Sequence, residues 1–316
     1  MNNVYGDYAG LATGGAIGDV LFFFCSGFTL LLGRAGRFDT WYKRRIRRIY
    51  PSVFGWAIVS AFVMAGSQSI DSIIIHGGGW FVTCIMLYYV VLYFIRRYGM
   101  DNLKRVFGAV CVVVVLWYIF LFEEKDHIHM YQQTFHGGND YFRWCHYFLF
   151  MLLGAMTGSG AIEIKKDNTW RVIGILGMSF VAYFGWLALG KKYVTISEWQ
   201  ILSLIPLLVL TMYMYKFCCL ECIKNFFSQK GWRWVMMIVG GLCLEIYLVQ
   251  MPVLCHDTLP FGFHTESLQH LFPLNIPILL VIILPLAYVT RSVGRFFAQT
   301  FDSADGYDWK KIFALT

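Results

Sequence analysis

The chain has 316 residues, of which 58% are hydrophobic and only 14% charged, with a mean hydropathy of +0.57. Soluble domains average about 25% charged residues, so an ordinary soluble enzyme is excluded and a polytopic membrane protein is expected. The net charge of +7 does not read as a nucleic-acid surface, because the cations stand in short clusters between apolar runs, as loop anchors do.

Residues 1–16 contain no Lys or Arg, so the basic start of a secretory signal is missing. Nine apolar windows follow: 17–33, 50–66, 79–95, 105–122, 144–162, 170–189, 199–216, 234–254 and 273–290. Each is about long enough to cross a bilayer as a helix. In lipid the backbone must satisfy its own polar groups, so helix is the expected form throughout. The first window runs into seven cations, Arg34, Arg37, Lys43, Arg44, Arg45, Arg47 and Arg48, before the chain turns apolar again at Tyr50-Pro51. Alternate loops hold 22 of the 26 Lys and Arg; Lys125, Arg143, Lys191 and Lys192 are the other four. That alternation predicts an external N-terminus and a cytoplasmic C-terminus. The expected fold is all-α, a polytopic transmembrane helical bundle of nine spans forming a single domain over 1–316.

Several residues are candidates for chemistry. Asp19 and Ser26 are seven apart and share a helix face roughly two turns long. Arg45 and Arg48 are three apart and share another. An R-x-x-R face suits a phosphate-rich ligand, since guanidinium binds phosphate through two parallel hydrogen bonds; plain topology-setting charge is the other reading. Gly77-Gly78-Gly79-Trp80-Phe81-Val82 opens the third window, where Trp80 could line a site or sit at the membrane interface. Arg143 is one of the few external cations, and His146 follows it at the start of a window. Glu245 lies inside an apolar window, where an ionisable group faces protein or a water-filled cavity. An interhelical hydrogen bond is its competing role. Cys218-Cys219-x-x-Cys222 lacks the second ligand pair of a zinc site. There is no G-x-S-x-G elbow, Walker loop or H-E-x-x-H.

The segment Leu21-Phe22-Phe23, then Ser26-Gly27-Phe28, resembles the LFF-x-x-SGF pattern of the acyltransferase-3 family of integral membrane acyltransferases. Arg45-Ile46-Arg47-Arg48-Ile49-Tyr50-Pro51 resembles that family's R-x-x-R-I-x-P. Two later segments are looser: Trp80-Phe81-Val82 resembles the H-x-W-F-L/V entry with His76 displaced, and Leu244-Glu245-Ile246-Tyr247-Leu248-Val249-Gln250 resembles S-x-x-IYL-x-H with Gln250 in place of the His.

The resemblance implies transfer of an acyl group, with acetyl expected, from cytoplasmic acyl-CoA to a hydroxyl of a cell-envelope sugar or polysaccharide precursor. The implied site is Arg45 and Arg48 for the donor, with Glu245 and Ser26 as catalytic candidates and no metal. The implied setting is the inner membrane of a bacterium, with lipid bilayer, acyl-CoA and a glycan acceptor as partners. The family pattern has ten core spans, the first carrying an Arg near its start and a basic His at its far end. LFF-x-x-SGF follows that span, and here it is reached by residue 28. The expectation is therefore an N-terminally incomplete domain whose reading frame continues upstream. Otherwise the base is sought among His76, His127, His129, His136, His146, His256, His264 and His270. The rival readings are a transporter or flippase of a lipid-linked glycan, or a non-catalytic partner in envelope assembly; the lack of internal repeats weighs against a transporter.

Overall fold

The computed structural model describes residues 16–30, 36–63, 78–123, 125–126, 128–129, 136, 140–164, 167–255, 273–301 and 306–315. Arg34, His76, His127, His256, His264 and His270 lie outside them. Among the described residues all regular structure is helical.

In chain order the helices are α1 (Ala16–Leu30), α2 (Phe38–Val63), α3 (Gly79–Phe94), α4 (Leu103–Phe120), α5 (Asp140–Gly158), α6 (Thr169–Lys192) and α7 (Val194–Glu198). Then come α8 (Leu204–Cys218), α9 (Glu221–Ser228), α10 (Lys230–Gly241), α11 (Cys243–Cys255), α12 (Asn275–Thr300) and α13 (Trp309–Ile312). Gly79 opens α3 at φ +60°, which favours glycine. Asn168 caps α6 by accepting from Trp170 N at 3.2 Å.

Helix bounds outrun the apolar windows at α2 and α12, where cations flank them. The basic stretch expected as a loop at 34–49 is helical from Phe38, and α12 continues ten residues past its window to Thr300. Hydropathy marks where a helix meets lipid; Lys and Arg are good helix formers and carry the helix on into water. Similarly, 96–105 is not an open loop. The chain passes from α3 through a π-turn at Ile95–Gly99 and a 3-10 turn at Met100–Asn102 into α4. At 1.5 Å per residue a run from Gly79 to Phe120 has a contour of about 63 Å, twice the hydrocarbon core. The polar middle, with Arg96, Arg97, Asp101, Lys104 and Arg105, therefore belongs outside that core.

By length and composition, four helical runs could cross a membrane: Gly79–Phe120, Thr169–Lys192, Gln200–Cys218 and Asn275–Thr300. A fifth arises if α10 and α11, bent by 60° at Leu242, make one broken span. Helix α1 is apolar but only 15 residues long. The protein is thus an all-helical membrane protein with four or five such spans among the described residues, against the nine windows of the sequence.

The helices fall into two compact units, each with a glycine seam at its centre. The first is built from Arg37–Leu87 and Phe227–Thr316. Here α2 packs against α12, with α11 against both. A Cβ on Gly55 would lie 2.3 Å from Thr290 O, and one on Gly294 would lie 2.5 Å from Pro51 O, so the two backbones touch. The second is built from Gly10–Gly36 and Tyr88–Phe226. Its centre is α1 on α5, with α4, α6 and α8 around them. Cβ atoms on Gly27, Gly154 and Gly158 would fall 1.9 Å from Met151 O, 2.0 Å from Phe24 O and 2.3 Å from Phe28 O. Small residues let helix backbones approach where lipid offers no hydrophobic drive for association.

Candidate active site

In the first unit the R-x-x-R-I-x-P segment forms the N-terminal half of α2. Arg45 is half-buried, its guanidinium 4.6 Å above the ring of the buried Trp41. That stacking fixes the cation beside an aromatic face. Arg48, one turn on, is exposed. Arg44 turns away to donate from Nε to Thr40 O at 3.2 Å. The four arginines in five residues are therefore not equivalent: Arg45 is held by packing and Arg48 projects to solvent.

One turn beyond Arg48, Ser52 points into the protein and donates from Oγ to Glu245 Oε1 at 2.5 Å. Glu245 is 5% exposed and Ser52 7%. A buried carboxylate needs such a donor, since its desolvation is otherwise uncompensated. Glu245 also lies within electrostatic reach of Arg295 on α12. The carboxylate therefore stands between a helix that carries the R-x-x-R face and a helix that carries Arg291 and Arg295. The Trp80-Phe81 segment joins the same unit. Phe81 is buried with its ring 4.7 Å from that of Tyr247, two residues beyond Glu245, and Trp80 packs edge-on against Phe81. Three segments far apart in sequence, 45–52, 79–82 and 245–247, thus meet in one unit.

The second unit holds a separate polar cluster. Tyr147 OH donates to Asp19 Oδ2 at 3.4 Å, tying α1 to α5. His146 Nδ1 lies 3.1 Å from Phe142 O, and His146 Nε2 lies 3.0 Å from His136 Nδ1. A carbonyl can only accept, so His146 carries its proton on Nδ1 and accepts at Nε2. His136 must then donate from Nδ1. Both imidazoles are buried, and Arg143 acts on them electrostatically. Burial first, and the Arg143 charge second, push His136 down to about 3. Held neutral so firmly, His136 is a weak proton acceptor in this arrangement, and its bond to His146 is a strut fastening residue 136 to α5. Ser26 is half-buried on α1, next to the close approach at Gly27, and its carbonyl accepts from Thr29 Oγ1 at 3.2 Å. Asp19 and Ser26 share the unit, whereas Glu245 and the arginines belong to the other. Among the described residues, no group of three or more His, Cys, Asp or Glu is arranged to hold a metal ion.

A family model described as an acyltransferase domain matches residues 2–292. The chain belongs to the acyltransferase-3 family. No curated relative and no solved structure matches it. The match carries the general activity, a membrane acyltransferase, and it ends before Arg295 and the C-terminal segment.

Some features of this acyltransferase escape a reading by motif. The Ser52–Glu245 pair joins residues 193 positions apart, and nothing local in the sequence signals it. The His136–His146 pair is equally silent. The α1–α5 seam did carry a signal, Gly154-x-x-x-Gly158 within an apolar window.

Proposed function

We propose that this acyltransferase moves an acyl group, acetyl by preference, from acyl-CoA to a hydroxyl of a cell-envelope sugar or polysaccharide precursor. The observation that carries this reading is the junction on α2. The R-x-x-R cations stand at one end, and one turn away Ser52 binds the buried carboxylate of the family's late segment. Phosphates of the donor bind Arg45 and Arg48, with the Trp41 ring holding Arg45 in place. Glu245 positions this end of the unit, through Ser52 on α2 and through its charge toward Arg295 on α12. In the transfer the acceptor oxygen attacks the thioester carbon. The new C–O bond forms, the C–S bond breaks, and the hydroxyl proton ends on the released thiol of coenzyme A. Ser26 remains a catalytic candidate of the second unit. The single-domain, nine-span arrangement with a cytoplasmic C-terminus and the inner membrane as location belong to the same proposal, supported by the cation alternation.

The test is coenzyme A binding and thiol release by the full chain in lipid nanodiscs. Arg45→Ala with Arg48→Ala should weaken acetyl-CoA binding, each lost charge-assisted contact costing about 1.5–3 kcal/mol. Arg34→Ala, outside the motif, should do much less. Equal effects at all three positions would reduce the R-x-x-R face to topology charge. A glycan transporter would release no free thiol from acetyl-CoA in the presence of acceptor.

A further inference from the structure

The C-terminal segment 306–315 lies along one stripe of α12. Tyr288, Arg291, Arg295 and Gln299 are spaced three or four apart and so share a helix face. Each of them holds the segment. Tyr288 OH donates to Phe313 O at 2.9 Å and Arg291 Nη1 to Leu315 O at 3.4 Å. Arg295 Nη1 donates to Lys311 O at 3.0 Å and Ala314 O at 2.6 Å. Gln299 exchanges hydrogen bonds with the backbone of Asp308 at 2.8 and 3.3 Å. Phe296 stacks on Tyr307 at 4.8 Å, and Ile312 is buried. A segment held at so many points is a wall of the unit.

Between this wall and the helix lies an open cavity of about 350 Å³, lined by Arg295, Ala298, Gln299, Lys311 and Ala314. Its charged groups are cationic, its alanines leave room, and Gln299 supplies an amide. Among the described residues, the carboxylate beside Lys311 is that of Asp308, which pairs with Lys311 Nζ at 3.1 Å where both are exposed. Such exposed pairs are weak, so an incoming anion can compete for Lys311. Ligand cavities run from about 300 to 1,000 Å³; this one admits a phosphate ester and part of its sugar, but not a whole coenzyme A.

The packing of α2 on α12 fixes which end of the pair this cavity occupies. Gly55 meets Thr290 and Gly294, while Gly294 also meets Pro51 and Ser52, so the helices are antiparallel. Moving back along α2 from Pro51 to Arg48 and Arg45 is moving forward along α12 from Gly294 toward Thr300. The R-x-x-R face and the cavity therefore share one end of the pair, and Glu245 relates to both, through Ser52 and Arg295.

We infer that the cavity of Arg295, Gln299 and Lys311 is a phosphate-ester subsite, completing the R-x-x-R face by taking one phosphorylated end of the coenzyme A donor. It rests on the donor reading above but lies wholly beyond residue 292, where the family match ends. The same chemistry could come from an anionic lipid headgroup, and the experiment separates the two.

The full chain is purified in dodecyl maltoside and titrated with coenzyme A by calorimetry. It is also assayed for retention on vesicles of phosphatidylglycerol against phosphatidylcholine, after reconstitution-free addition of lipid. Lys311→Gln removes a pocket charge from an exposed side chain without touching the backbone bonds of the segment. Ala298→Leu fills the cavity without changing charge. Both should weaken coenzyme A binding about five- to tenfold while leaving the thermal midpoint unchanged. If both instead spare coenzyme A but abolish the preference for phosphatidylglycerol, the subsite is a phosphate-ester site filled by lipid, and its assignment to the donor is overturned. If Arg48→Ala weakens coenzyme A while both pocket variants bind coenzyme A and lipid as wild type does, the subsite is refuted and the donor reading survives. Failure of Arg48→Ala to weaken binding refutes the donor reading itself.

Discussion

Replacing Gly154 by alanine should separate α1 from α5 and unfold the second unit more easily. The added Cβ would stand 2.0 Å from Phe24 O. An unstrained carbon–oxygen contact is about 3.3 Å, so the helices must part by about 1.3 Å. The obstacle is backbone, which has no rotamer to move. Parting would also loosen the neighbouring contacts, Gly27 against Met151 O and Gly158 against Phe28 O, which belong to the same seam. Overpacking typically costs about 1–3 kcal/mol, and a backbone clash belongs at the upper end. Alanine recovers up to about 1 kcal/mol through its better helix propensity, leaving a net loss of about 2 kcal/mol. Gly174→Ala on α6 is the internal control. Nothing lies within 4 Å of its Cβ position, so only the propensity gain remains. The assay is reversible unfolding of the full chain in mixed micelles, read by tryptophan fluorescence. Gly154→Ala should fall, and Gly174→Ala hold or rise, giving a gap of about 2–3 kcal/mol between them. If the two variants unfold at the same midpoint, the seam does not hold these helices together and the close approach has no energetic meaning.

A double-mutant cycle on Ser52→Ala and Glu245→Gln should show a coupling energy of about 1.5–3 kcal/mol, as for a hydrogen bond to a charged group; additive losses would mean the pair does not interact in the membrane. Glu245→Gln should also lower acyl transfer while folding normally, and full activity would confine Glu245 to structure. The His136 site makes the second unit acid-sensitive. Its imidazole is held neutral, from an ordinary 6.5 down to about 3, so the unfolded chain binds the extra proton between those values. The stability it contributes is complete above about pH 6.5 and is lost as pH falls toward 3, by about 1–2 kcal/mol between pH 6.5 and 5. Denaturant midpoints at these two pH values measure it, and an unchanged slope in His136→Asn would assign the acid sensitivity elsewhere.

Much of this protein is legible in its sequence because lipid imposes a simple rule. A run of apolar residues must be helix, so residues 170–189 announce themselves without reference to anything distant. The arginine motif is equally local: Arg45 and Arg48 share a face by spacing alone. The bounds of α2 and α12 were not legible, since hydropathy reports contact with lipid while helix geometry runs on through charge. The partner of Glu245 was not legible either. Its position in an apolar run demanded a donor, but 192 residues separate it from Ser52 and any buried hydroxyl would have met the demand.

Tertiary packing made those choices. Where Gly55 and Gly294 bring α2 against α12, Ser52 turns inward toward α11, Arg48 is left exposed, and the 306–315 segment is held along the Arg291–Arg295 stripe. Hydropathy and charge along the chain were enough to require helices and to mark which of their residues could not rest in lipid. Only the three-dimensional contacts decided which of those residues satisfy one another, because a buried polar group is paired by proximity in space, and spacing along the chain does not specify it.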